Sequence, residues 1–86
     1  MISFENATQK VRDKFPKLKI REGFVFRNKY LFKLYSTDHV ENSADPNGFK
    51  VYVMPDGDVV TIDTNEIFNH LDEYEQAQNK AVVVDG

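Results

Sequence analysis

Apolar side chains recur at helical spacing at the start of the chain. Phe4, Ala7, Val11 and Phe15 stand 3, 4 and 4 residues apart, one stripe on a helix. Ser3 just before them fits a helix N-cap, because its hydroxyl can accept a bond from a free amide of the first turn, and Glu5 suits the positive helix start. Pro16 disfavours helical geometry at Phe15 and predicts the stop. From Leu18 the period changes to two: Leu18, Ile20, Phe24 and Phe26 share one face, and Lys19, Arg21, Val25 and Arg27 the other. Gly23 between them predicts a bulge or bend. Asn28-Lys29 is the expected hairpin turn, since Asn tolerates the left-handed backbone such turns require. Tyr30 to Tyr35 is the return strand.

Residues 36–48 are polar and turn-rich, the longest expected loop. Phe49, Val51 and Val53 then alternate with Lys50, Tyr52 and Met54 in a third strand. Pro55-Asp56-Gly57 is a turn in which Pro fixes φ and Gly supplies a positive φ. Val59 to Asp63 completes a second hairpin. Asp63 or Thr64 can cap a last helix, with Glu66 at capping-box spacing from Asp63, and Ile67, Phe68, Leu71 and Tyr74 give its apolar face. The three consecutive valines near the end favour extended structure, so residues 79–86 are either a short fifth strand or a tail. The expected fold is one α+β domain over residues 1–86, an antiparallel four-stranded sheet of two hairpins flanked by an N-terminal and a C-terminal helix (α-β-β-β-β-α).

Charge is divided between the halves. Residues 1–37 hold nine Lys/Arg against three Asp/Glu, whereas residues 38–86 hold two against eleven, within a net charge of −3. Either the halves fold over one another and partly cancel, or the surface is dipolar and favours head-to-tail self-association or docking on a charged partner. The acidic total disfavours nucleic acid as a partner. Gly23-Phe24-Val25-Phe26 resembles the core of an RNA-recognition strand, but that module needs a β-α-β-β-α-β order, and two hairpins run together here.

Candidate chemistry is sparse. With 86 residues and no cysteine, disulfides, thiol nucleophiles and cysteine-ligated metal clusters are excluded. His39 and His70 are far apart and lie in no motif, and Ser3, Ser36 and Ser43 sit in a cap or a loop rather than a nucleophile elbow. Asp56 and Asp58 flank Gly57 without the graded spacing of a calcium loop. There is no phosphate-binding glycine loop or dinucleotide fingerprint. The sequence therefore predicts no catalytic residue, no metal site and no cofactor, and a protein that is not an enzyme. No apolar run is long enough to cross a membrane as a helix. The start lacks the basic stretch and long apolar run of a secretory signal, which predicts a cytoplasmic setting.

The sheet faces carry the functional expectation. One face bears Ile20, Phe24, Phe26, Tyr30, Phe32, Phe49, Val51 and Val53, enough to bury against the first helix. The other bears Val25, Leu31, Lys33, Tyr35, Lys50, Tyr52 and Met54, too apolar for open solvent and too charged for a full core. Either the last helix covers it, or Val25, Leu31, Lys33, Tyr35, Tyr52 and Met54, joined by Asp72 and Glu73 of the acidic last helix, form a surface for a protein partner.

The run Ala7-x3-Val11-x3-Phe15-Pro16, the alternating strand pair, and Val51-Tyr-Val-x-Pro-Asp-Gly-Asp-Val-Val resemble PepSY-type domains over roughly residues 3–63. Lys14-Phe15-Pro16, the aromatic strand and the Gly-Asp-Val hairpin are also similar to small proteins encoded among the virion-structure genes of tailed phages and prophages. Neither resemblance brings a catalytic residue. Together they imply a non-enzymatic protein-binding module of virion assembly, located in the host cytoplasm or the virion, binding a virion or host protein or itself. The alternative is a phage-encoded inhibitor of a host factor, its acidic half imitating nucleic-acid charge.

Overall fold

The computed structural model describes residues 2–35, 49–62 and 64–85. The polar run 36–48 with His39, the cap residue Asp63, and the side chains of Phe49 and Thr64 lie outside the described residues. An antiparallel five-stranded sheet is held between helices on its two faces, so the fold is α+β. Helix α1 (Phe4–Lys14) starts at Ser3, whose Oγ accepts from the Asn6 N–H at 3.1 Å, and ends at Phe15 before Pro16. Strands β1 (Lys19–Phe26), β2 (Lys29–Tyr35), β3 (Phe49–Val53) and β4 (Val59–Thr61) follow, then helices α2 (Thr64–Asn69) and α3 (Leu71–Gln78) and strand β5 (Val82–Val83). The strand order is β4-β3-β2-β1-β5. The terminal valines are thus a fifth strand, beside β1, and the sheet is not limited to the two hairpins.

Three local features differ from the sequence pattern, each for a physical reason. The first hairpin turns at Arg27-Asn28, not Asn28-Lys29: both turn residues have positive φ (51° and 65°), as a two-residue hairpin loop demands, and Phe26 pairs with Lys29. The bulge falls at Arg21, where the register shifts between Ile20 and Glu22. An extra residue reverses the facing of all that follow, so Ile20 packs on α1 while Phe24 and Phe26 point to the opposite face, away from Tyr30 and Phe32. Gly23 is needed for closeness: a Cβ there would stand 2.5 Å from the Phe32 ring and 3.0 Å from that of Phe4. Finally, the last helix is broken at His70, which leaves helical geometry (φ −135°, ψ 44°). The break puts α2 and α3 out of phase, so Leu71 no longer continues the stripe of Ile67.

Two cores result. Ala7, Val11, Ile20, Tyr30, Phe32, Leu34, Val51 and Val53 are buried under α1. Phe24, Phe26, Leu31, Tyr52 and Ile67 are buried under α2 and α3, with Tyr74 and Ala77 packed against them. The C-terminal residues are fastened by Asp85. Its carboxylate takes two hydrogen bonds from the Arg12 guanidinium, both 3.1 Å, and one from the Ile20 amide at 2.9 Å. Its carbonyl accepts from the Tyr35 hydroxyl at 3.2 Å, and its amide donates to the Ile20 carbonyl at 2.7 Å.

Candidate functional site

The second sheet face is closed. Tyr74 of α3 stands edge-on to Phe24 and Phe26, each with ring centres 5.7 Å away, and Phe26 stacks on Tyr52 at 6.4 Å. Lys29 and Lys33 of this face pack on the aromatic layer. Lys29 Nζ lies 4.7 Å from the Tyr52 ring centre, and Lys33 Nζ lies 5.7 Å from that of Tyr74 while pairing with Glu22 at 3.7 Å. Of the residues expected to form a partner surface, Leu31 and Tyr52 are therefore core, and Lys33 and Met54 are half-buried. Tyr35 is half-buried too, its ring under the Arg21 guanidinium at 4.8 Å. Val25 is exposed, but the bulge has turned it to the α1 side of the sheet. These residues do not come together as one open patch.

Ion pairs clamp α2 and α3 to the hairpin turn. Arg27 Nη1 is 2.9 and 3.0 Å from the two Glu73 oxygens and 3.3 Å from His70 Nδ1, and its Nε is 3.6 Å from Glu66. The mostly buried Lys29 reaches Glu66 at 3.2 Å. Burial pushes the Glu66 carboxyl up, but hydrogen bonds from Lys29 and Tyr52 and the charges of Lys29 and Arg27 outweigh it and hold the group below its ordinary value. Glu73, expected in the partner surface, is thus engaged within the molecule, while its neighbour Asp72 stays exposed.

What remains open lies on the outer side of the helix break. Phe68 is 67% exposed and Leu71 45%. Every other aromatic side chain described is buried or half-buried. Asp72 and Glu75 flank the pair, exposed and without an ion pair among the described residues. On α3, Leu71 and Glu75 stand one helical turn apart with Asp72 beside Leu71, and Phe68 lies across the break at His70, on α2. The sequence pattern puts Asp72 on this surface but places Phe68 and Leu71 on the helix's packed face. The only signal against that placement is the position of Phe68 directly after Ile67, about 100° around a helix.

Comparison with protein-family models, curated proteins and solved structures gives no match to this chain. Among the described residues no group of three or more His, Asp or Glu is placed to hold a metal ion, and no helix is long and apolar enough to cross a membrane. A second exposed apolar zone lies on the α1 side, where Val82 and Val83 edge a shallow groove of about 330 Å³ against Phe4, Glu5, Thr8 and Gln9. Its edge strand, β5, has only two residues, which limits its use as a template for pairing.

Proposed function

We propose that this chain is a small non-enzymatic protein-binding module that docks its partner on the outer side of α2 and α3, through Phe68 and Leu71 with Asp72 and Glu75. The observation that carries the reading is the exposure of Phe68 in a molecule that otherwise covers its described aromatic rings. Burying such a ring is the largest gain that surface has to offer. The setting comes from resemblance: like the small phage and prophage proteins it is similar to, the module acts in virion assembly or decoration, in the host cytoplasm or on the particle. The PepSY-like reading of residues 3–63 belongs to the same proposal and rests on their residue pattern. Inhibition of a host factor by acidic mimicry is less favoured, because Glu66 and Glu73 are spent on Arg27 and Lys29.

The absence of cysteine gives a clean test. A cross-linker on a single cysteine replacing Phe68 is expected to capture the partner, and the same linker at Val60, on the β4 edge, is not. Phe68→Ala is expected to leave stability within about 0.5 kcal/mol of the parent. Its affinity for the captured partner is expected to fall by about tenfold or more. Equal capture from both positions, or unchanged affinity in the folded variant, refutes the reading.

A further inference from the structure

We propose that β5 is an exchangeable strand: residues 82–85 leave the β1 edge of their own chain and take the same place on a second copy, in a domain-swapped dimer. The fit at that place is visible within one molecule. Val82 and Val83 pair with Gly23 and Glu22 of β1. The Val84 and Asp85 amides donate to the Arg21 and Ile20 carbonyls at 3.1 and 2.7 Å, and the Asp85 carboxylate accepts from Arg12 and the Ile20 amide. These partners stand on α1 and β1, and Tyr35, which donates to the Asp85 carbonyl, stands on β2. The segment is delivered by α3, whose Tyr74 and Ala77 pack on the opposite face of the sheet. The receiving site is thus complete without the helix that delivers the segment, and a segment arriving from a second chain makes the same contacts.

Two features favour release. Little apolar burial holds the segment: Val82 and Val83 are 52% and 66% exposed, and of residues 82–85 only Val84 packs on the core under α1. The other feature is the turn that folds the segment back. Helix α3 ends with no glycine, no proline and no left-handed residue, the punctuation at which helices usually stop. Asn79 keeps helical angles (φ −62°, ψ −19°), and the amides of Lys80 and Ala81 donate to carbonyls only three residues back, each at 3.0 Å. Ala77, Gln78, Lys80 and Ala81 are strong helix formers. The residues would carry α3 through Ala81, and docking of residues 82–85 on β1 stops it. If α3 runs on, those two amides gain acceptors four residues back, and the segment leaves along the helix axis instead of folding back. Local preference and the closed turn disagree at 79–81, which makes that turn the hinge. Both forms make the same strand contacts, so this hinge and protein concentration set the balance. Each copy gives one segment and receives one, and the assembly closes at two.

Single-cysteine variants test this in the whole chain, which has no cysteine of its own. Positions 22 and 83 face each other across the β1–β5 ladder. Glu22→Cys and Val83→Cys are mixed at high concentration, incubated and then oxidised. The expected product is a disulfide from position 22 of one chain to position 83 of the other, in several-fold excess over the product of Glu22→Cys with Val60→Cys, on the far edge of the sheet. Light scattering on a size-exclusion column tests the hinge. A variant lacking Lys80 and Ala81 cannot fold its segment back, and it is expected to run at twice the mass of one chain. Ala81→Gly supplies the missing helix stop and is expected to run at 10.0 kDa under conditions where the parent dimerises. Equal disulfide yields from the two mixtures overturn the proposal. So does a folded deletion variant that runs at the mass of one chain, its segment then hanging loose rather than entering a second copy. The cross-link leaves the hinge unaltered, so it decides alone if the deletion variant does not fold.

Discussion

Phe32→Ala is expected to cost about 3–5 kcal/mol, most or all of the stability of a domain this small. Phe32 is fully buried in the middle of β2, with its ring 5.3 Å from that of Phe4 on α1 and 6.3 Å from that of Tyr30. It also covers the place where Gly23 has no side chain, so truncation opens a hole that nothing on β1 can fill. The same contact makes Gly23→Ala unfavourable by about 1–3 kcal/mol, because a ring with no exposed surface cannot swing aside. The two sites compete for one volume. A Gly23→Ala/Phe32→Leu double variant should therefore lose less than the sum of its single changes, a coupling that urea unfolding of the four proteins measures directly. Additive costs would mean that the two side chains do not share that space.

Asp85→Ala is the other large effect, at about 1.5–3 kcal/mol. It strips Arg12 of a two-pronged partner and leaves the Ile20 amide without its acceptor, and it releases the residues after β5 from β1. The first sign should be loss of hydrogen-exchange protection at Gly23 and Val82, ahead of global unfolding. Hydrogen bonds from Arg12 and the Ile20 amide hold the Asp85 carboxyl below its ordinary value of 3.8, and Glu66 is held below 4.5. Both folded pKa values are depressed, so the unfolded chain binds protons first as pH falls. Their contribution is complete above the unfolded values and is lost as pH drops through the folded ones. Chemical denaturation midpoints should thus stay level from neutrality to about pH 5 and fall below about pH 4, less steeply in Asp85→Ala. A midpoint that rises on acidification would contradict these assignments.

Much of the scaffold is legible in the residues themselves. Ser3, the stripe from Phe4 to Phe15 and Pro16 define α1 to within a residue, and Pro55-Asp56-Gly57 turns where its chemistry says, with Gly57 at φ 97°. The alternation of β2 sorts Leu31 from Phe32 correctly. Phase is what the residues do not reveal. No glycine or proline marks the bulge at Arg21, yet it moves Phe24 and Phe26 to the other face and furnishes the second core. No breaker marks His70 either, and the break there turns Leu71 away from the packed stripe. The sequence pattern raises the right question, whether the last helix covers the second face, and marks Asp72 as a surface acid. It leaves Leu31 and Tyr52 either covered by that helix or open to a partner, and the covering by α2 and α3 buries both; it puts Phe68 on the packed face, which on α2 Ile67 takes alone.

With the second sheet face covered, the proposed docking surface is the outside of the cover. In the competing mechanism α3 peels away to bare Leu31, Lys33 and Tyr52 for the partner, at the cost of the Arg27–Glu73 clamp and the Tyr74 contacts. The most direct discrimination is hydrogen exchange by mass spectrometry on the free protein and on its complex with the partner captured at position 68. Docking on the outside of a closed cover predicts slower exchange on binding across residues 65–78 and little change across 29–35. Faster exchange in 71–78, coupled with slowing in 29–35, would contradict it.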